Sequence, residues 1–242
     1  SAIALGFEKA GAGVHIVDID GNAVGGFSAS NPDILATCAD VANPDAVREV
    51  MEKHLDSYAG IDVMVNCAGI AGPTALVEDI DFADWARCMS VNLDATLLFC
   101  QAVIPHMRKA GRGNIINISS TAGWHGYPLR APYVCSKWAV IGLTKTLAME
   151  LGPVGIRANV ICPGSISGER MDRVIAAESR TKGVPEENLR DIYTRGCSMK
   201  TFIDGEDIAD MAVFLASDGA KKVTGQVLNV DGHLESLGGL DQ

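Results

Sequence analysis

Short apolar runs alternate with helical segments along most of the chain, and this alternation limits the possible folds more than any other feature. Strand-like runs occupy residues 14–17, 34–38, 61–65, 114–119, 156–161 and 226–230. Segments with helical spacing of apolar residues lie between them, over 1–10, 44–58, 82–108, 133–151 and onward from 204. Strands that alternate with helices predict a parallel sheet covered on both faces. We therefore predict an α/β fold with a doubly wound parallel sheet, in a single domain over residues 1–242.

The composition limits the partners and the compartment of the chain. A formal net charge of −10 disfavours nucleic acid and an anionic membrane surface as partners. No apolar run approaches about 18 residues and no signal peptide is visible, so neither a membrane span nor secretion is expected. The seven cysteines are scattered without a CxxC pair, which is typical of reduced core thiols. We expect a cytoplasmic protein without a metal site.

Tyr133 and Lys137 are the first candidates for chemistry. In a helix, residues four apart project from one face. A cation beside a phenol favours the phenolate, which makes the hydroxyl a usable proton donor or acceptor. Ser120 follows the strand-like run 114–119, and open α/β sheets bind ligands at the carboxyl ends of their strands. Taken alone, a Tyr and a Lys at this spacing are more often a surface pair.

Small and polar residues also follow other strand-like runs. Asp18 follows the run 14–17, and residues 66–69 (Asn-Cys-Ala-Gly) follow the run 61–65. Residues 162–164 (Cys-Pro-Gly) follow a third run, and Asn92 lies within the helical segment 82–108. Because parallel strands end at one edge of their sheet, we expect these residues around one cleft.

In this order and spacing, the motifs resemble those of the short-chain dehydrogenase/reductase family. The resemblance extends over nearly the whole chain and implies a Rossmann-like fold that transfers a hydride between a nicotinamide cofactor and a secondary alcohol or ketone. It implies that Tyr133 is the general acid/base, that Lys137 supports it and bonds the nicotinamide ribose, and that Ser120 orients the substrate carbonyl. Asn92 resembles the helix asparagine near a proton-relay water.

The resemblance also assigns the cofactor contacts. An acid at the position of Asp18 accepts hydrogen bonds from both adenosine-ribose hydroxyls and repels a 2′-phosphate, which favours NAD over NADP. No Arg or Lys lies beside Asp18 in the sequence. The other residues expected to bind the cofactor are Ile19, Asp40 and Val41 at the adenine, and Asn66, Ala68, Gly69, Tyr133, Lys137, Pro163, Gly164 and Ile166 toward the nicotinamide.

The expected partner is a small alcohol or carbonyl compound. The helical segment 133–151 is apolar over much of its circumference, which suggests a homotetramer or a homodimer. Residues 169–195 carry several arginines, and this segment is either a solvated helix face or an anion site that uses Arg170 or Arg173.

Two alternatives stay open from the sequence. A 3-oxoacyl-carrier-protein reductase has the same catalytic residues but usually prefers NADP, which Asp18 argues against. A non-catalytic binding protein related to the family would lack its cofactor site, since no G-x-x-x-G-x-G turn occurs near the start of the chain. By the resemblance, the family's first strand and glycine-rich turn are expected within about 15–20 residues before Ser1. That strand would lie between the runs 14–17 and 61–65.

Overall fold

The computed structural model of the chain describes residues 2–234. Its strands are β1 (His15–Asp18), β2 (Leu35–Cys38), β3 (Val63–Asn66), β4 (Gly113–Ile118), β5 (Ile156–Pro163) and β6 (Val227–Val230). Its helices are α1 (Ala2–Lys9), α2 (Gly21–Ser30), α3 (Pro44–Ser57), α4 (Phe82–Met89), α5 (Ala95–Ala110), α6 (Ala131–Leu151), α7 (Glu169–Lys182), α8 (Glu186–Arg195) and α9 (Gly205–Ala216).

The strands form parallel ladders, as the alternation predicts. β1 pairs with β2, and a second sheet has the order β3-β4-β5-β6. The doubly wound, Rossmann-like α/β architecture is confirmed, but its hydrogen-bonded ladder is divided between β1 and β3. Residues 14–17 and 62–65, from the two facing edges, line one large cleft.

Helices cover both faces of the four-stranded sheet. On one face, α3, α5 and α6 pack on β4 and β5 around the buried side chains of Val103, Met107 and Ile115. On the other face, α9 packs through Ile208, Ala212 and Leu215, with α1 beside it. Strands buried on both faces favour apolar side chains, and β5 is apolar at every position except Arg157 and Asn159.

Local sequence explains several helix boundaries. Asn43 caps α3, since its Oδ1 accepts from the amides of Asp45 and Ala46, and Pro44 occupies the first helical position. Asp204 caps α9 in a reciprocal pair with Asp207.

Two predicted segments gain detail from the structure. The long helix expected over 82–108 is confirmed and extends to Ala110, and it contains a π-helical turn (Ser90–Asp94) between α4 and α5. A π turn adds one residue to a helical turn without changing the apolar composition, so periodicity does not detect it. The charged segment after residue 165, left unassigned from the sequence, forms α7 and α8.

The stretch Phe82–Ala110 is long and apolar enough to cross a membrane by length and composition alone. Core helices of soluble proteins meet the same criterion, and here Phe99, Val103 and Met107 are buried in the core. The expected lack of a membrane span stays a prediction.

Candidate active site

A cleft of about 1690 Å³ opens at the carboxyl ends of β1, β3, β4 and β5. Every residue that the sequence predicts for the site, except Asn92, lines this cleft: Asp18, Ile19, Asp40, Val41, Asn66, Ala68, Gly69, Ser120, Tyr133, Lys137, Pro163, Gly164 and Ile166. The cleft therefore joins, in space, residues that are dispersed over about 150 positions of sequence.

Tyr133 and Lys137 lie in the first two turns of α6. Lys137 is 3% exposed, and its Nζ donates to the carbonyl oxygen of Ile118 at 2.9 Å, at the end of β4. The same Nζ lies 5.8 Å from the centroid of the Tyr133 ring. The strand end thus holds the ammonium group beside the phenol, as the four-residue spacing predicts.

The two consecutive serines after β4 have different surroundings. Ser119 is buried, and its hydroxyl donates to the carbonyl oxygen of Lys137 at 2.8 Å, which ties the strand end to α6. Ser120 is half-buried in the cleft wall, where its Oγ accepts from the amide of Ala122 at 3.2 Å and caps a short 3₁₀ turn. The Ser119 hydroxyl donates to the backbone, whereas the Ser120 hydroxyl keeps its proton free to donate. Ser120 is therefore the better candidate for a hydrogen bond to a ligand.

Asn92 lies in the π turn and is 1% exposed. Its Oδ1 accepts from the amide of Ile70 at 2.7 Å, and its Nδ2 donates to the carbonyl oxygen of Ile70 at 3.0 Å and to Ser136 Oγ at 3.0 Å. The side chain of Asn92 therefore fastens the loop after β3 to α6. We call this set of hydrogen bonds the Asn92 clamp. Because the amide group of Asn92 is already used in these bonds, a proton-relay water would have to bind to neighbouring groups.

The loop after β3 is packed closely against this clamp. A Cβ added to Gly69 would lie 3.1 Å from Asn92 Oδ1 and 3.5 Å from Lys137 Nζ. Asn66, before it, turns its side chain into the sheet, where its Nδ2 donates to Asn117 Oδ1 at 2.8 Å. Asn66 therefore supports the loop from beneath, and exposed Ala68 is on the open side of the cleft.

The segment after β5 forms the opposite wall. The amide of Gly164 donates to the carbonyl oxygen of Val230 at 2.9 Å, and a Cβ at Gly164 would lie 2.8 Å from the Asp231 Cα. Ile166 forms a bridge with Ile203, which holds this wall against the segment before α9. The hydroxyl of Ser167, the next residue, donates to Asp204 Oδ1 at 2.6 Å.

An acidic corner lies at the far end of the cleft. Asp18 is exposed, and its Oδ1 accepts from the amide of Asp20 at 3.0 Å. Ile19 is 57% exposed beside it. Asp40 pairs with Arg87 at 3.6 Å, and Val41 packs on the core cluster that includes Phe99.

The chain matches known proteins over nearly its whole length. Residues 1–234 match a family model described as "Enoyl-(Acyl carrier protein) reductase". D-beta-hydroxybutyrate dehydrogenase of Rhizobium meliloti is 33% identical over 204 residues, which cover 84% of this chain and 79% of that protein. The chain belongs to the short-chain dehydrogenase/reductase family. It is an NAD(P)-dependent oxidoreductase that acts on CH–OH groups.

Solved structures of short-chain dehydrogenases agree with the fold. NAD⁺-bound xylitol dehydrogenase has a TM-score of 0.91 at 27% identity, with 96% of this chain and 93% of that chain covered. ElxO with NADP bound has a TM-score of 0.85 at 29% identity, with 96% and 92% covered. One of these two relatives holds NAD⁺ and the other NADP, so they support the fold without deciding between the cofactors.

Four further residues of this short-chain dehydrogenase escaped the sequence analysis: Tyr127, Arg130 and Tyr193, which line the cleft, and the buried Glu178. Glu178 of α7 is fully buried, and its carboxylate accepts from the hydroxyls of Tyr127 and Tyr193, which also contact each other. Burial, together with the charge of Glu178, raises the pKa of both phenols, so they stay protonated donors. The fourth residue is Arg130, which is 4% exposed at the start of α6.

The two arginines that the sequence analysis names as a possible anion site, Arg170 and Arg173, contribute less to the described cleft. Arg173 lines the cleft with an exposed side chain. The side chain of Arg170 lies outside the described part of the structure. Within residues 2–234, no group of three His, Cys, Asp or Glu side chains is placed to hold a metal ion.

Proposed function

We propose that the chain transfers a hydride between NAD(H) and a secondary alcohol or ketone, with Tyr133 as the general acid/base. The observation that carries the proposal is the common position of Ser120, Tyr133 and Lys137 on one wall of a single cleft, whose far end holds Asp18.

The chemistry of these side chains follows from their contacts. Lys137, fixed by Ile118, favours the phenolate of Tyr133, so the phenol exchanges a proton with the substrate oxygen. Ser120 accepts from the amide of Ala122 and keeps its own proton, which it donates to the same substrate oxygen. Bound nicotinamide supplies the hydride acceptor in one direction and the hydride donor in the other.

The described residues fit the two ends of a dinucleotide. At the nicotinamide end, the missing Cβ of Gly69 leaves a corner open beside Lys137. At the adenosine end, Asp18 Oδ2 makes no hydrogen bond in the described structure, and the nearby cation Arg87 is paired with Asp40. A carboxylate in this corner gains charge-assisted bonds from two ribose hydroxyls and faces repulsion from a 2′-phosphate. These contacts support NAD as the preferred cofactor.

An acyl-carrier-protein reductase is the second candidate. Relatives named 3-oxoacyl-[acyl-carrier-protein] reductase, from Thermotoga maritima and Chlamydia trachomatis, are 37% and 36% identical to the chain, which favours this alternative. It predicts NADP preference and activity on 3-oxoacyl thioesters, so a comparison of the two cofactors also separates the candidates.

We also propose that the chain assembles into a homotetramer or a homodimer. On α6, Trp138 is 52% exposed and Met149 81% exposed, although the opposite side of this helix is buried. Large apolar side chains on the outside of a core helix are typical of surfaces between subunits. Light scattering at several protein concentrations measures the assembly, and a monomer throughout would contradict the proposal. The cytoplasmic location stays a prediction.

The enzyme proposal is tested with a panel of secondary alcohols and NAD, followed by the absorbance of NADH. Tyr133→Phe is expected to lower kcat by about 100-fold or more, because it removes only the proton-transfer hydroxyl. NAD affinity should stay close to that of the unmodified protein. Tyr58→Phe is the control, since the Tyr58 hydroxyl donates to the backbone oxygen of Val14. A Tyr133→Phe protein that keeps a tenth of the turnover would remove Tyr133 from the role.

A further inference from the structure

Arg130 is a buried cation with an incomplete set of partners. It lines the cleft beside Tyr133, with its Cζ 5.6 Å from the centroid of the Tyr133 ring. Its Nη1 donates to Thr74 Oγ1 at 3.0 Å. Its Nε is buried and has no hydrogen-bond partner among the described residues. A guanidinium held out of water with an unpaired donor is costly, so a further partner at this position stabilises it.

The described part of the chain does not supply an anion for Arg130. Among residues 2–234, the arginines that form ion pairs are Arg48, Arg87, Arg112 and Arg190, each with an aspartate. The buried carboxylate of Glu178 accepts from the hydroxyls of the cleft residues Tyr127 and Tyr193 instead. The positive charge of Arg130 therefore faces the cleft without a matching carboxylate from residues 2–234.

We propose that Arg130 binds a carboxylate of the substrate, and that the substrates of this site are small hydroxy acids and oxo acids. The inference rests on the proposed function, because it names the second group of the molecule that Tyr133 protonates. With Nη1 held by Thr74, Nε and Nη2 form the edge of the guanidinium that carries the unpartnered donor. Two parallel N–H donors on one edge match the two oxygens of a carboxylate.

The positions of Arg130 and Tyr133 also limit the length of the substrate. Arg130 is the residue just before α6, and its Cζ lies 5.6 Å from the centroid of the Tyr133 ring, so the two side chains are neighbours. With the substrate oxygen at the Tyr133 hydroxyl and the carboxylate at Arg130, the two groups of the substrate are held close together. This separation favours acids in which the carboxylate is one or two carbons from the carbinol carbon. The relative from Rhizobium meliloti is named for a hydroxy acid of this kind.

The experiment compares acids with their neutral amides. Both enantiomers of 3-hydroxybutyrate and lactate are oxidised in parallel with 3-hydroxybutyramide and lactamide, and the ratio of kcat/KM for acid over amide is measured. We expect Arg130→Met to lower this ratio by about 30-fold or more, the effect of losing a charge-assisted pair. Arg130→Lys should restore part of the ratio. Arg173→Met is the matched control, since it removes an exposed arginine of the same cleft, and it should change the ratio by less than about threefold.

A binding measurement accompanies the kinetics. Acetoacetate should raise the melting temperature of the unmodified protein more than acetoacetamide does, and Arg130→Met should abolish this difference. If no alcohol is oxidised, the proposed hydride transfer fails, and this measurement alone decides the Arg130 site. If Arg130→Met does not fold, Arg130→Lys and Thr74→Val replace it, and both should lower the acid-over-amide ratio.

Three outcomes would overturn the inference. Equal losses for acid and amide in Arg130→Met would make Arg130 a purely structural residue. A larger loss in Arg173→Met would move the anion site to α7. A hydroxyalkyl sulfonate or phosphate ester used tenfold better than the matched acid would show that the carboxylate assignment is wrong.

Discussion

Replacing Asn92 by Ala should release the loop after β3 from α6. The substitution removes two hydrogen bonds to Ile70, of 2.7 and 3.0 Å, and one to Ser136. It leaves the amide and the carbonyl of Ile70 without these partners, and each buried group left unpaired costs about 1–3 kcal/mol. Ile70 is half-buried, so water recovers part of the loss. We therefore expect the free energy of unfolding to fall by about 2–4 kcal/mol, a large share of the roughly 5–15 kcal/mol typical of a domain.

Two measurements check this magnitude and its cause. Urea unfolding gives the change in free energy, provided that the slope with denaturant stays constant. Hydrogen exchange at the amide of Ile70 should accelerate in Asn92→Ala, because Asn92 Oδ1 is its acceptor. Thr96→Val is the control in the next turn, since it removes one bond, to the backbone oxygen of Asn92, without touching the loop. A loss below about 1 kcal/mol, or unchanged exchange at Ile70, would refute the clamp.

Four further predictions follow from single positions. Asp18→Asn should reduce the preference for NAD over NADP from about tenfold or more to about threefold or less, measured as the ratio of kcat/KM values, since the repelling charge is gone; an unchanged ratio would remove Asp18 from cofactor choice. Burial lowers the pKa of His15 to about 4, so the folded protein resists protonation of this side chain. The free energy of unfolding should therefore be highest above pH 6.5 and fall by about 1–2 kcal/mol, after solvent screening, as the pH drops toward 4. His15→Gln should remove this fall from the pH profile of unfolding. Glu178→Gln should cost about 1–3 kcal/mol in urea unfolding, because an amide replaces a buried carboxylate that accepts two phenol hydroxyls, and an unchanged midpoint would contradict it. Gly164→Ala should cost about 1–3 kcal/mol, since its Cβ would lie 2.8 Å from the Asp231 Cα; a stability equal to that of the unmodified protein would show that the wall adapts.

The sequence predicts the strands and the catalytic candidates because both depend on local signals. Apolar runs followed by small or polar residues mark strand ends, and the spacing of Tyr133 and Lys137 is that of one helical turn. The parallel α/β architecture then follows from the alternation, since parallel strands bring their carboxyl ends to one edge.

The group of Tyr127, Arg130, Glu178 and Tyr193 escapes prediction because its residues meet only in three dimensions. Tyr127 contacts Glu178 over 51 positions of sequence and Tyr193 over 66. One local signal was available, since Glu178 follows Ile175 by three residues and shares the buried side of α7. Arg130 gives no such signal, because an arginine before a helix is usually solvated and its burial depends on Thr74 and Tyr133.

A row of buried amides fixes the alignment of the central strands. Asn66 on β3 donates to Asn117 on β4, which donates to Thr144 on α6 at 2.8 Å. The neighbouring positions Ile115 and Ile116 are both fully buried, so apolar burial alone distinguishes poorly between alignments that differ by one residue. A slip of one residue would turn Asn117 to the opposite face of the sheet and separate it from Thr144. The polar row therefore favours the observed alignment over one shifted by a residue, a distinction that an all-aliphatic sheet would make poorly.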